Sequence, residues 1–160
     1  MTRVAVVGAG FAGLVVARHL QSHADVTIFE KSRGAGGRMA TRYVGDFEFD
    51  HGAQFFTARS DAFQAFLQPL IDEGVVADWK AQFAEFDRSC TTVTRTWGDD
   101  HPHYVGAPRM NSVGKYLSEH LDIRLVTEFT AMVWRDRGWA LSDRPGKQCG
   151  AYEWLVLSAP

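Results

Sequence analysis

The segment VAVVGAGFAGLVVARHL, residues 4–20, constrains the chain more than any other. Arg3 to Val7 is an apolar, β-branched run of the kind a buried parallel strand needs. Gly8, Gly10 and Gly13 follow in the order G-x-G-x-x-G, and Phe11 to Gln21 suits a helix. In a strand–turn–helix each glycine has its own task. Gly8 permits the tight turn, Gly10 lets a pyrophosphate approach the backbone, and Gly13 lets helix pack on strand. Free N–H groups at the helix start, and the positive end of its dipole, then face a phosphate.

A lone glycine pattern is weak evidence, but this one has its context. DVTIFE is a second strand ending in Glu30, roughly 20 residues past the glycines, where the dinucleotide fingerprint wants an acid. A carboxylate there can accept hydrogen bonds from both hydroxyls of an adenosine ribose and would repel a 2′-phosphate. The plainer alternative is a surface glutamate that ends a strand. The same apolar run could be mistaken for a signal-peptide core. It is too short to span a bilayer, one arginine precedes it, and no small-residue cleavage site follows.

Composition narrows the field. The 160 residues suffice for one ordinary domain, and 46% hydrophobic content is enough for a core. A net charge of −2 gives no basic footprint for nucleic acid. Arg33, Arg38 and Arg42 cluster near the glycine motifs. Cys90 and Cys149 form no C-x-x-C and no metal spacing, which fits a reducing cytoplasm, and no metal site is expected. His101 and His103, in DDHPHYVG, read as a polar hairpin or loop rather than as ligands.

Further along, Phe47 and Phe49 share one face of a short extended piece broken by Asp50 to Gly52. SDAFQAFLQPLIDEG predicts a helix capped by Ser60, with a stripe of Phe63, Phe66, Leu67, Leu70 and Ile71. Pro69 should kink it or end its regular part, and Gly74 should stop it. WKAQFAEFD and CTTVTRTW alternate as antiparallel strands with one covered face. Trp79, Phe83, Phe86 and Trp97 there either line a substrate pocket or simply pack the sheet. MNSVGKYLSEHL predicts a short helix with Met110, Val113, Leu117 and Leu121 on one side. Strands around an R-D-R-G turn follow, then a final apolar strand in YEWLVLSAP.

The second glycine cluster selects the cofactor class. Plain nicotinamide dehydrogenases have no need of GAGGR just after the ribose acid, whereas Gly36 and Gly37 let a loop pass close to a cofactor and Arg38 can reach its pyrophosphate. This arrangement resembles the two-dinucleotide-motif flavoproteins, the amine oxidase and hydroxylase group. GAGFAGL, EKSRGAGGRMATR, FDHGAQFFT, GAPRMNSVGKYL and VTEFTAMVWRDRGWAL occur in that order, and together they are similar to the bacterial renalase branch.

The resemblance implies an α/β fold: a Rossmann-type FAD-binding βαβ unit carrying an inserted α+β portion of mixed and antiparallel strands. Residues 1–56 would be the FAD-binding segment, 57–110 part of a substrate domain, and 111–160 the return to the FAD-binding domain. FAD would be held by Gly8, Gly10, Phe11, Ala12, Gly13, Glu30, Lys31, Gly36, Gly37, Arg38, Ala53, Gln54, Phe55 and Phe129. His51, Gln54 and Phe55 would form the wall facing the flavin ring. His51 has two readings, a donor to the flavin or a cap on the DHGA turn. Phe129 stands where relatives contact adenine through the backbone, often with a smaller residue.

The resemblance also implies a flavin oxidase that takes hydride from isomeric dihydronicotinamide dinucleotides, giving NAD(P)+ and, from O2, hydrogen peroxide. No catalytic side chain is assigned. The rivals are an amine or protoporphyrinogen-type oxidase and a non-catalytic nucleotide-binding module. The partners expected are a small-molecule substrate, a dihydronicotinamide dinucleotide or an amine, and O2, without nucleic acid or membrane. A long second half follows the LVLSAP strand in the resembled family, so the sequence is expected to be part of a longer chain.

Overall fold

The computed structural model describes residues 1–86, 91–96 and 102–159. Their elements run in the order β1 (Arg3–Val7), α1 (Phe11–Leu20), β2 (Asp25–Phe29), a 3-10 turn (Gly37–Met39), β3 (Thr41–Val44), β4 (Phe47–Asp50), β5 (Phe56–Thr57), α2 (Asp61–Asp72), β6 (Val76–Asp78) and β7 (Gln82–Phe86). Then come β8 (Thr91–Thr96), β9 (His103–Gly106), α3 (Asn111–Ser118), β10 (Asp122–Arg124), β11 (Phe129–Arg135), β12 (Gly138–Asp143), β13 (Gln148–Tyr152) and β14 (Trp154–Leu157).

The organising layer is a parallel sheet in the order β10-β2-β1-β14. Beyond their exposed first residues, Arg3 and Asp25, the two inner strands are largely buried and, Thr27 apart, apolar, as strands covered on both faces are. On one face Val4, Val6, Val26 and Ile28 pack with Leu14 and Ala17 of α1 and with Val113 and Leu117 of α3. On the other, Ala5 and Phe29 pack with Leu141 and Tyr152 of the antiparallel meander β11-β12-β13. The result is three layers, helices on sheet on sheet, as an α/β fold requires. Asp136 and Arg137, both at positive φ, make the tight β11–β12 turn that R-D-R-G predicts.

α2 packs beside the first turn of α1. Phe63 and Phe66 meet the Phe11 ring edge-on, with centroids 6.0 and 5.8 Å away, while Leu67 and Leu70 are buried. The Ser60 hydroxyl accepts the Phe63 N–H at 3.3 Å, as expected of an N-cap. Gly74 follows the helix at φ +70°.

Three expectations are narrowed or corrected. Of the two outcomes open to Pro69, an end to α2 is excluded, since the helix runs on to Asp72. Proline forfeits one backbone bond, but the turn beyond it buries Leu70 and is closed by the Glu73 N–H on the Pro69 carbonyl at 3.1 Å. On the β7–β8 ribbon Phe83 is half-buried while Phe86 and Val93 stand exposed, so the expected cover is only partial among the described residues. His103 is neither hairpin nor loop: it opens β9, which pairs with β5 on one side and β6 on the other. His101, Cys90 and Trp97 lie outside the described residues.

At one edge of the parallel sheet, β14 leaves Trp154 66% and Leu157 62% exposed. Among the described residues no helix is long and apolar enough to cross a membrane, and no group of three or more metal-ligating side chains gathers.

Candidate nucleotide site at the carboxyl edge of the parallel sheet

β1 ends at Val7, and the chain turns through Gly8 at φ +103°, a conformation side chains rarely adopt. A Cβ on Gly13 would overlap the Gly8 carbonyl oxygen, so only glycine lets α1 sit this close to the turn. The first intrahelical bond runs from the Leu14 N–H to the Gly10 carbonyl at 3.0 Å. The N–H groups of Phe11, Ala12 and Gly13 therefore have no intrahelical acceptor, and the Gly10 N-cap brings no side-chain cap. A Cβ on Gly10 would meet nothing within 4 Å, so open space lies over the turn. An array of unpaired donors facing open space at a helix start is what an anion needs.

Glu30 stands just past β2 and is 8% exposed. One carboxylate oxygen accepts the Ala9 N–H and the other the Ser32 N–H, each at 2.8 Å. The Ser32 hydroxyl reaches the same carboxylate, so only part of its acceptor capacity stays open. Burial works to raise the carboxyl's pKa. The backbone bonds from Ser32 and Ala9, the Ser32 hydroxyl and the Lys31 charge together outweigh it, so Glu30 titrates below the usual carboxylate range. A buried acceptor that stays charged is suited to a ribose hydroxyl. The exposed side chain of Lys31 lies beside it.

The second glycine cluster lies directly against the first. Gly36 donates its N–H to the Ala9 carbonyl at 2.8 Å, and Gly10 and Gly36 form an isolated parallel bridge. Gly37 starts the 3-10 turn that carries Arg38. Arg38 is exposed, and among the described residues its guanidinium makes no ion pair or hydrogen bond, leaving its charge available at the rim of the two loops.

The DHGAQFF segment is docked on this loop by the Ala53 N–H, which donates to the Arg38 carbonyl at 2.6 Å. Beyond it the Phe55 ring lies 5.1 Å from the His103 ring and 5.9 Å from Trp79. Gln54 and His51 are exposed, and the His51 ring makes no hydrogen bond to its turn among the described residues. The half-buried Phe129 ring lies against Phe29 at the edge of the core, with ring centroids 4.8 Å apart and planes tilted by 57°.

Sequence reasoning missed one neighbour of the glycine turn. β14 delivers Ser158 there: its N–H donates to the Val7 carbonyl at 2.8 Å, and its backbone abuts Gly8. The signal was the parallel pairing of the last strand with the first, since residues leaving the carboxyl ends of parallel strands line the ligand crevice.

The comparisons fit this geometry. Residues 6–70 match the NAD(P)-binding Rossmann-like domain. The chain is 44% identical over 69 residues to a protein of Mycobacterium tuberculosis named as a flavin-containing monoamine oxidase, AofH, covering 42% of this chain and 15% of that one. It is 38% identical over 73 residues to prenylcysteine oxidase 1-like of Bos taurus, covering 43% and 15%. It is 36% identical over 74 residues to a 1-hydroxycarotenoid 3,4-desaturase of Flavobacterium, covering 46% and 13%. The chain thus spans about 15% of the length of these curated relatives.

Among solved structures, a CLA-producing fatty acid isomerase from P. acnes superposes with a TM-score of 0.74 at 12% identity, over 99% of this chain and 59% of that one. CtdE in complex with FAD superposes with a TM-score of 0.64 at 16% identity, over 98% and 38%. The fold is therefore the Rossmann-like α/β architecture expected from the first glycine turn.

Proposed function

We propose that this chain is the FAD-binding portion of a flavin-dependent oxidoreductase. One observation carries the reading: a buried, charged Glu30 is tied through its Ala9 bond to a glycine turn whose first helical N–H groups have no intrahelical acceptor. That is a site for the ribose and pyrophosphate of an adenosine diphosphate. The names of the curated relatives and the FAD held by CtdE support a flavin dinucleotide as its owner.

In this reading the Phe11–Gly13 turn and Arg38 hold the two phosphates from opposite sides, and Glu30 holds the ribose. Lys31 adds positive charge nearby. Ala53, Gln54 and Phe55 lead toward the flavin ring, where Phe55, Trp79 and His103 offer an apolar aromatic wall. His51 lies at the same end, and Phe129 contributes backbone contacts toward adenine. Residues 1–56 and 111–160 build the cofactor unit, and residues 57–110 the start of a substrate region. FAD, when bound, supplies a two-electron acceptor, so the chain's own task is to bind, orient and exclude water.

For the reaction we adopt the renalase-like oxidation of an isomeric dihydronicotinamide dinucleotide. In net terms the dihydronicotinamide, dioxygen and one proton give NAD(P)+ and hydrogen peroxide. The motifs from EKSRGAGGRMATR to VTEFTAMVWRDRGWAL support this choice, and a cytoplasmic location accords with the free thiol of Cys149. A flavin amine oxidase is the second reading, favoured by the similarity to the protein named as a monoamine oxidase.

Anaerobic stopped-flow reduction of the flavin-loaded protein separates the two. The dihydronicotinamide isomers are expected to bleach the flavin much faster than simple amines. Rapid bleaching by amines alone would establish the second reading. A colourless protein that binds ADP and not FAD would reduce the function to nucleotide binding.

A further inference from the structure

Gly114 sits inside α3, a helix whose other core-facing positions are filled by Val113 and Leu117. Glycine weakens a helix interior, and no unusual backbone angle calls for it here. Its neighbours do. A Cβ on Gly114 would stand 2.7 Å from the Gly36 Cα, 3.2 Å from the Ala35 carbonyl oxygen and 3.2 Å from the Gly36 N. The backbone of α3 therefore rests against the backbone of the second glycine loop. The other side of that loop rests on the first turn, through the Gly36 N–H on the Ala9 carbonyl and the Gly10–Gly36 bridge.

We infer that Gly114 is a positioning residue: it sets the gap between the two glycine loops, and so the seat of the phosphates between Arg38 and the Phe11–Gly13 turn. The inference rests on the nucleotide reading of that site. What matters is which side yields when the contact is overfilled. α3 is anchored by Met110, Val113 and Leu117, all at most 1% exposed, and Arg18 of α1 ties it down through a 3.1 Å bond to the Tyr116 carbonyl. Gly36 is held chiefly by one bond to Ala9 and by the Met39 N–H on its own carbonyl at 3.0 Å. The loop is the softer partner. An added methyl group would push it toward the first turn and carry Gly37 and Arg38 out of register.

The test is ADP binding by calorimetry on the purified protein, comparing wild type with Gly114→Ala and with Leu141→Ala, a packing control in the core on the other face of the sheet. Gly114→Ala is expected to raise the ADP dissociation constant at least tenfold, and Leu141→Ala to change it less than threefold while lowering the thermal midpoint. If Gly114→Ala does not fold, Arg18→Ala decides. Loosening α3 should raise the ADP constant at least threefold and speed amide exchange at Gly36. Unchanged affinity in the folded Gly114→Ala or Arg18→Ala protein, or equal losses in Gly114→Ala and Leu141→Ala, would overturn the inference. Failure of the wild type to bind ADP would instead overturn the nucleotide reading, and the inference with it.

Discussion

The carboxylate of Glu30 accepts the backbone N–H of Ala9 at 2.8 Å, joining the tip of β2 to the glycine turn across 21 residues of sequence. The bond serves the fold and the site together. It satisfies a buried donor in the turn, and it fixes the acid beside the glycine loops, where the proposed site would seat a ribose. Removing the carboxylate should therefore register twice, in stability and in affinity.

Glu30→Ala should weaken FAD retention at least about tenfold, because each hydrogen bond to a charged group contributes roughly 1.5–3 kcal/mol. Flavin content after dialysis, read from the visible spectrum against protein concentration, measures it. Undiminished flavin would remove Glu30 from the site.

The same residue sets a pH dependence. Its folded-state pKa lies below the ordinary value of 4.5, so its contribution to stability is complete above that value and is lost as pH falls through the folded pKa. Denaturant unfolding of wild type and Glu30→Gln should show a constant difference near neutrality that narrows below about pH 4.5. A difference that stayed constant into strong acid would mean that the charge contributes nothing.

Arg38→Lys should also impair FAD binding. Lysine keeps the charge but cannot reproduce a planar, two-point contact with phosphate oxygens. Equal dissociation constants for the two proteins would leave Arg38 as a solvated loop residue.

Gly13→Ala tests the packing of α1 on the turn. The added methyl group has no room beside the Gly8 carbonyl, and overfilling of this kind costs about 1–3 kcal/mol. A lowered urea midpoint with an unchanged slope is the expected result. An alanine variant as stable as wild type would show that the helix has room to move.

What the sequence made legible was mostly local. The strand, glycine turn and helix of residues 3–20 could be read because every glycine has one mechanical reason, and Glu30 because its place after the second strand is set by the fingerprint. Ser60, Gly74 and the R-D-R-G turn carry their own signals for the same reason. What escaped was long-range. Alternation in β7 and β8 announces two faces but cannot say what covers either. His103 looked like a loop because β9 exists only through its pairing with Phe56–Thr57 and Val76–Asp78, far away in sequence. At Pro69 the missing backbone bond is visible locally, whereas the burial of Leu70 that carries α2 past it is not. Ser158 and Gly114 reach the site through β14 and α3. Gly114 left a local cue, a glycine in the middle of an amphipathic helix, whereas Ser158 is placed by the pairing of β14 with β1.

The central claim is that the two glycine loops and Glu30 hold the adenosine diphosphate half of FAD. Competitive titration tests it most directly, with FAD, ADP and FMN added to flavin-free protein and binding followed by flavin fluorescence. FAD is expected to bind, ADP to displace it, and FMN, which lacks the adenosine half, to bind at least tenfold more weakly. FMN binding as tightly as FAD, with ADP unable to compete, would contradict it.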